Sequence, residues 1–270
     1  MNAVTEAANR SASVGDLIVK LEQVVKEYAL GKVTVPAVRG VDLEIRKGEF
    51  ITVAGPSGSG KTTLLNLIGC VDTATRGTVL VDGKDTGKLS ERELTKLRLF
   101  TIGFIFQSFN LVSVLTAFQN VEFPLLLQKS IGKADRTKRV LDLLEAVGLK
   151  EHADHRPGEL SGGQRQRVAV ARALVTKPKL VLADEPTANL DSATGKSIID
   201  LMKELNETQG TTFVFSTHDH EVMRRAGRVV QLVDGRVVSA GDESAKTSAG
   251  GGAPENDSAD DDKRAEDGAD

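Results

Sequence analysis

Gly55-Pro56-Ser57-Gly58-Ser59-Gly60-Lys61-Thr62-Thr63 is the stretch on which the fold turns. It fits the phosphate-binding pattern G-x-x-x-x-G-K-[ST], and its surroundings fit as well. Phe50 to Ala54 before it is an apolar, β-branched run, and Thr63 to Cys70 after it reads as a helix. Gly55, Gly58 and Gly60 open backbone conformations closed to other residues, so successive N–H groups can converge on one anion at the positive end of the following helix. Lys61 then places a point charge on the β and γ phosphates, and the Thr62 hydroxyl binds the magnesium ion that bridges them. A flexible Gly/Ser turn would explain the glycines, Pro56, Ser57 and Ser59, but not Lys61, Thr62 and Thr63 in this order between a strand and a helix.

A second segment supplies acids. Leu180 to Ala183 forms a short apolar strand that ends on Asp184 and Glu185. Carboxylates at the carboxyl end of a buried parallel strand lie where open α/β sheets bind ligands. Asp184 is expected to hold magnesium, and Glu185 to polarise an attacking water as general base. His218 follows another strand, Thr211 to Ser216, and is expected to contact the γ phosphate and orient that water.

The third segment, Leu160-Ser161-Gly162-Gly163-Gln164, precedes a helix-like stretch to Val175 that is rich in Arg165, Arg167 and Arg172. A serine N-cap accounts for Ser161, whereas glycines in a first helical turn cost stability and point to a function. Together they form a second, partial anion site about a hundred residues from the first. Two chains facing head to tail could each lend Ser161 and Gly163 to the other's nucleotide.

With these three segments in view, the chain resembles the ATP-binding subunits of ABC transporters over about residues 15 to 240. The resemblance implies ATP and Mg2+ as ligands. It identifies Gln107 as a magnesium ligand that senses a membrane partner, Asn189-Leu190-Asp191 as a segment crossing a dimer interface, and Tyr28 as a stacking platform for adenine. A core tyrosine is the other reading of Tyr28. Segments from Gly103, Leu115 and Leu182 are similar to the lipoprotein-releasing and macrolide-exporter group (LolD-like and MacB-like). Ala188 in place of a usual Gly and Gln119 in place of a common Glu are small departures. The group implies a second copy of the chain and integral membrane permease subunits as partners, with membrane contact only through the permease, at the cytoplasmic face. A regulator of a cell-wall hydrolase in cell division remains a related alternative.

Composition agrees. The 270 residues hold no apolar run near the roughly eighteen residues of a membrane span. Cys70 is the only cysteine, which excludes an internal disulfide and any multi-cysteine metal site; it reads as a small buried hydrophobe on the helix after the loop. Met1 to Val14 lacks the apolar segment of a secretory signal. From Gly241 onward ten acidic residues face three basic ones, so residues 241–270 carry −7 of the net −3 and the rest +4. That tail is expected to be disordered, as is the 1–14 extension. The mildly basic body has no stripe of Lys and Arg with aromatics between, so nucleic acid is not an expected partner. A soluble ABC ATPase acting on nucleic acid or ribosomes would carry two cassettes or a coiled coil, and a GTPase an N-K-x-D segment; none is present.

The expected fold is α/β: a P-loop NTPase (RecA-like) core, an antiparallel β subdomain and an inserted α-helical subdomain at about 108–160. Strands are expected near Leu17–Val24, Val41–Ile45, Phe50–Ala54 and Gly77–Val81, with a long connection from Tyr28 to Val38. Strands return at Leu180–Ala183, Thr212–Phe215, Arg228–Val233 and Arg236–Ser239, with Asp234-Gly235 as a hairpin turn. Leu141, Leu143, Leu144 and Val147 recur at helical spacing. Pro124, Leu125 and Leu126, beside Gln107, are candidates either for permease contact or for the core.

Overall fold

The computed structural model describes residues 16–31, 33–128 and 130–242, and the side chains of these except His220, Glu221 and Asp242. The 1–14 extension and most of the 241–270 tail lie outside the described residues.

In chain order the elements are β1 (Leu17–Leu30), β2 (Val33–Arg46), β3 (Phe50–Ala54), α1 (Lys61–Ile68), β4 (Arg76–Val81), β5 (Lys84–Asp85), α2 (Glu91–Thr101) and β6 (Ile102–Ile105). There follow α3 (Ala117–Leu126), α4 (Lys133–Ala146), α5 (Gly162–Leu174), β7 (Leu180–Asp184), α6 (Ser192–Gln209), β8 (Thr212–Thr217), α7 (His220–Arg225), β9 (Arg228–Val233) and β10 (Arg236–Asp242).

Two sheets result. One is antiparallel, in the order β2-β1-β4-β5; the other runs β10-β9-β3-β8-β7-β6 and is parallel except for β10 at its edge. Side-chain alternation divides the core between them. Leu180 and Leu182 of β7 and Val214 of β8 pack with α1 and the antiparallel sheet, while Val181, Ala183, Phe213 and Phe215 pack with α3, α4, α5 and α6. Both faces of the central strands are covered, which is why their sequences read as continuous apolar runs. Phe50 and Phe215, with ring centroids 4.6 Å apart, anchor the helical side.

The described residues of 108–160 contribute α3 and α4 and no strand. Pro124 lies inside α3, and the three candidate contact residues divide: Leu125 is fully buried core, whereas Leu126 is half exposed beside Phe123 and Leu127.

The expected connection from Tyr28 to Val38 is a correction. β1 and β2 continue as a long ribbon in which Tyr28 pairs with Val35 and Leu30 with Val33, turning at Gly31 with φ of 62°. The β-branched Val33, Thr34 and Val35 favour strand, and the glycine supplies the left-handed turn. Asp234 and Gly235 both have positive φ, 48° and 76°, so the β9–β10 hairpin turns as expected.

Candidate functional site

Strands β3, β7, β8 and β6 all present their carboxyl ends on one edge of the central sheet, and the candidate residues gather there. One cleft is lined by Ala37, Pro56, Ser57, Gly58, Gly60, Lys61, Thr62, Thr63, Gln107, Glu185 and His218.

The loop after β3 is shaped by close backbone approach. A Cβ on Gly55 would lie 2.0 Å from the Leu232 carbonyl oxygen, and one on Gly60 2.3 Å from that of Ala37. Gly58 and Gly60 have φ of 78° and 100°. The β9–β10 turn braces the loop from behind, with Gly235 N–H donating to the Ser59 carbonyl at 3.0 Å. The Ser59 hydroxyl is buried without a hydrogen-bond partner, so the cradle holds a polar atom that the protein itself leaves unsatisfied. Lys61, only 8% exposed, folds its Nζ back onto the carbonyls of Gly55 and Pro56 at 2.8 and 3.0 Å. The same Nζ is 4.0 Å from Glu185 Oε1, so the lysine reaches from the loop to the acid.

The acids have separate surroundings. The Thr62 hydroxyl donates to Asp184 at 3.0 Å, and the Ser216 hydroxyl donates to the same carboxylate. Glu185 Oε1 is 2.9 Å from His218 Nδ1, and Oε2 accepts from the Thr217 hydroxyl at 3.3 Å. Glu185 adopts φ of 46°, a left-handed conformation costly for a residue with a Cβ, and its N–H is held by the Ser216 carbonyl at 2.9 Å. Ser216 and Thr217 thus brace both carboxylates. The sequence reading missed them, although their place at the end of β8, directly before His218, was the available signal.

Gln107 lines the cleft from the end of β6, and its carbonyl accepts from Asn189 Nδ2 at 2.8 Å. Asp191 caps α6, accepting from Thr194 N–H at 3.0 Å. Phe109 and Asn110, just beyond Gln107, both have positive φ, and their carbonyls accept from the Arg172 guanidinium of α5. Arg165 lies over the Phe109 ring, and Arg167 donates to the Val147 carbonyl at 3.0 Å. The α5 arginines therefore grip neighbouring segments.

Ser161, Gly162, Gly163 and Gln164 are not part of the cleft lining. Ser161 and Gln164 form a reciprocal cap at the start of α5: Gln164 N–H donates to Ser161 Oγ at 3.2 Å and Ser161 N–H to Gln164 Oε1 at 2.8 Å. The glycine at 163 also has a packing cause, because a Cβ there would sit 2.5 Å from Thr194 Cγ2 of α6. Tyr28 likewise lies outside the lining, on β1, with its ring partly exposed and its hydroxyl donating to Asp72 Oδ2 at 2.9 Å. Cys70 is buried as expected but lies just past the end of α1, with φ of 57°.

The ABC transporter family profile matches residues 38–188. An ABC transporter ATP-binding protein of Methanocaldococcus jannaschii is 48% identical over 223 residues, 82% of this chain and 95% of that protein. The lipoprotein-releasing system ATP-binding protein LolD 1 of Rhodopseudomonas palustris is 45% identical, across 82% of this chain and 98% of its own length. The macrolide export ATP-binding/permease protein MacB of Brucella melitensis is 44% identical over 83% of this chain, which spans only 34% of that longer protein. Among solved structures, the dimeric archaeal cassette in a post-hydrolysis state with ADP and Pi superposes with a TM-score of 0.78 at 47% identity, covering 83% of this chain and 98% of that one. With that fold, these motifs and this degree of identity, the chain belongs to the ABC transporter family and is an ATPase.

Proposed function

We propose that two copies of this chain close head to tail around two ATP molecules and drive a separate membrane-embedded permease of the export or lipoprotein-release type. The observation that carries this reading is the division of the motif residues. Ten of the eleven cleft residues belong to the candidate motifs or directly flank the phosphate loop, while Ser161 to Gln164 lie elsewhere on the surface. A lone subunit then holds a phosphate cradle, an acid and a histidine but lacks its second anion site. The dimeric form of the similar archaeal cassette supports the pairing.

In each site the loop N–H groups and Lys61 hold the β and γ phosphates. Glu185 takes a proton from water as the water oxygen bonds to the γ phosphorus; the bond to the bridging oxygen breaks and ADP leaves with that electron pair. His218 fixes Glu185 through Nδ1 and keeps its other nitrogen for the phosphate. The partner's Ser161 and Gly163 close over the γ phosphate from the opposite side. Thr62, Asp184 and Gln107 offer oxygen donors that suit magnesium, which neutralises phosphate charge when bound. Among the described residues no group of three or more His, Cys, Asp or Glu could hold a metal ion.

The permease reading is supported by the names of the relatives and by exposed apolar side chains at the end of α3, Phe123 and Leu126, continued by Leu127 at its C-cap. No helix among the described residues is long and apolar enough to cross a membrane, so membrane contact is assigned to the permease. Two experiments test this. Glu185→Gln should bind ATP yet accumulate as a dimer in light scattering; a monomer at saturating ATP would contradict the pairing. Purification from membranes should recover an integral partner, and recovery of ribosomes or DNA alone would contradict the permease.

A further inference from the structure

Lys26 and Tyr28 lie two residues apart on β1 and so leave the strand on the same side. There they meet Asp72, in the loop that follows α1. Asp72 Oδ1 accepts from Lys26 Nζ at 2.6 Å and from the Thr73 N–H at 2.7 Å, while Oδ2 accepts from the Tyr28 hydroxyl at 2.9 Å. Lys26 Nζ also donates to the Thr73 carbonyl at 2.9 Å and sits 4.9 Å from the Tyr28 ring centroid, so the ammonium covers one face of the ring. Both partners are largely shielded, with side-chain exposures of 12% for Lys26 and 26% for Asp72.

The same stretch of β1 is zipped to the loop by its backbone. Thr75 N–H donates to the Val25 carbonyl at 2.8 Å, Glu27 N–H to the Thr75 hydroxyl at 3.0 Å, and Arg76 pairs with Glu27 at 2.9 Å. Asp72 N–H in turn donates to the Asn66 carbonyl of α1 at 3.2 Å. The helix that starts at the phosphate loop thereby fixes, at its far end, the tilt of an aromatic ring.

We infer that Asp72 and Lys26 are positioning residues for Tyr28, locking its ring as the platform on which the base of the nucleotide stacks. This rests on the reading of Tyr28 as that platform and adds how the platform is held. A tyrosine on an exposed strand has two free side-chain torsions. Here the hydroxyl is tied at one end and one face is occupied, so only the opposite face is free for a flat base. Stacking is read by the π-face alone, so the lock acts on affinity and leaves the chemistry at Glu185 untouched.

The test compares full-length Asp72→Ala, Lys26→Met, Tyr28→Phe and Tyr28→Ala by calorimetric titration with ATP and with inorganic tripolyphosphate, together with steady-state hydrolysis. Base–aromatic stacking sets the scale, so Tyr28→Ala should weaken ATP binding about 5- to 100-fold. Asp72→Ala, Lys26→Met and Tyr28→Phe should each lose about 3- to 10-fold, a part of that effect. For Asp72→Ala and Lys26→Met the KM for ATP should rise in parallel, with kcat within about twofold, and tripolyphosphate affinity should stay unchanged. Tyr28→Phe guards against misfolding, because it removes only the oxygen. If Tyr28→Ala weakens ATP but Asp72→Ala and Tyr28→Phe do not, the lock is refuted while the platform stands. Unchanged ATP affinity in Tyr28→Ala refutes the platform itself. Equal loss of ATP and tripolyphosphate in Asp72→Ala would make its role a distortion of the phosphate loop, and would also overturn the inference.

Discussion

Alanine at Gly60 and alanine at Gly58 should have unequal consequences for stability, although both glycines belong to one loop. At Gly58, with φ of 78°, an added Cβ meets nothing within 4 Å, so the variant bears only the left-handed backbone, about 1–2 kcal/mol. At Gly60, with φ of 100° and ψ of 8°, the Cβ would also lie 2.3 Å from the Ala37 carbonyl oxygen. That oxygen belongs to β2, whose neighbours Pro36 and Val38 pair with Glu27 and Lys26 of β1, so the overlap cannot be relieved by a side-chain rotation. Overpacking of this kind adds about 1–3 kcal/mol, giving about 2–5 kcal/mol for Gly60→Ala. Urea unfolding without nucleotide measures the difference as a shift in midpoint at constant slope. Equal midpoints for the two variants, or a lower one for Gly58→Ala, would refute the packing of the loop against β2.

Three further outcomes follow from the same geometry. Arg172→Ala removes the charged donors that hold the Phe109 and Asn110 carbonyls, and should cost about 2–4 kcal/mol while speeding amide exchange at residues 107–111; unchanged exchange there would contradict the grip of α5 on the Gln107 segment. Burial, opposed by Arg98, pushes the Cys70 thiol up to about 11, so at pH 8 about one molecule in a thousand is thiolate and iodoacetamide should label it only after unfolding. Burial raises the Asp72 carboxyl, but the hydrogen bonds from Lys26, Tyr28 and Thr73 outweigh it and hold the group below its ordinary 3.8. Its contribution is therefore present above 3.8 and lost as the pH falls through the lower folded value, so Asp72→Asn should flatten acid unfolding in that window, and an unaltered acid profile would count against it.

Much of the site was legible because its chemistry is local in sequence. The phosphate loop, the acids at the end of β7 and the histidine after β8 each sit where an apolar run ends, and a parallel sheet brings such ends to one edge. The segment from Tyr28 to Val38 was read as a connection, whereas the pairing that makes it strand joins residues on both sides of the Leu30-Gly31-Lys32 break in the apolar pattern. Helix α2 went unnoticed although Ser90 and Glu93 spell a capping box, closed in the structure by Ser90 N–H donating to Glu93 Oε2 at 2.9 Å. Helix α6 was passed over despite Asp191 at its cap. Other features depend on long-range contact and carry no local signature. Nothing near Gly163 announces Thr194, nothing near Arg172 announces the carbonyls of Phe109 and Asn110, and Asp72 meets Tyr28 across 44 residues.

The central claim is that the site is completed by a second copy, with Ser161 acting on the nucleotide of its partner. Ser161→Arg and Lys61→Ala chains, each inactive alone, should regain hydrolysis when mixed. The heterodimer then contains one site with an intact phosphate loop from the first chain and an intact Ser161 from the second. Absence of any rescue, with both variants folded and heterodimers demonstrated by cross-linking, would place Ser161 and Lys61 in the same subunit's site and contradict the account.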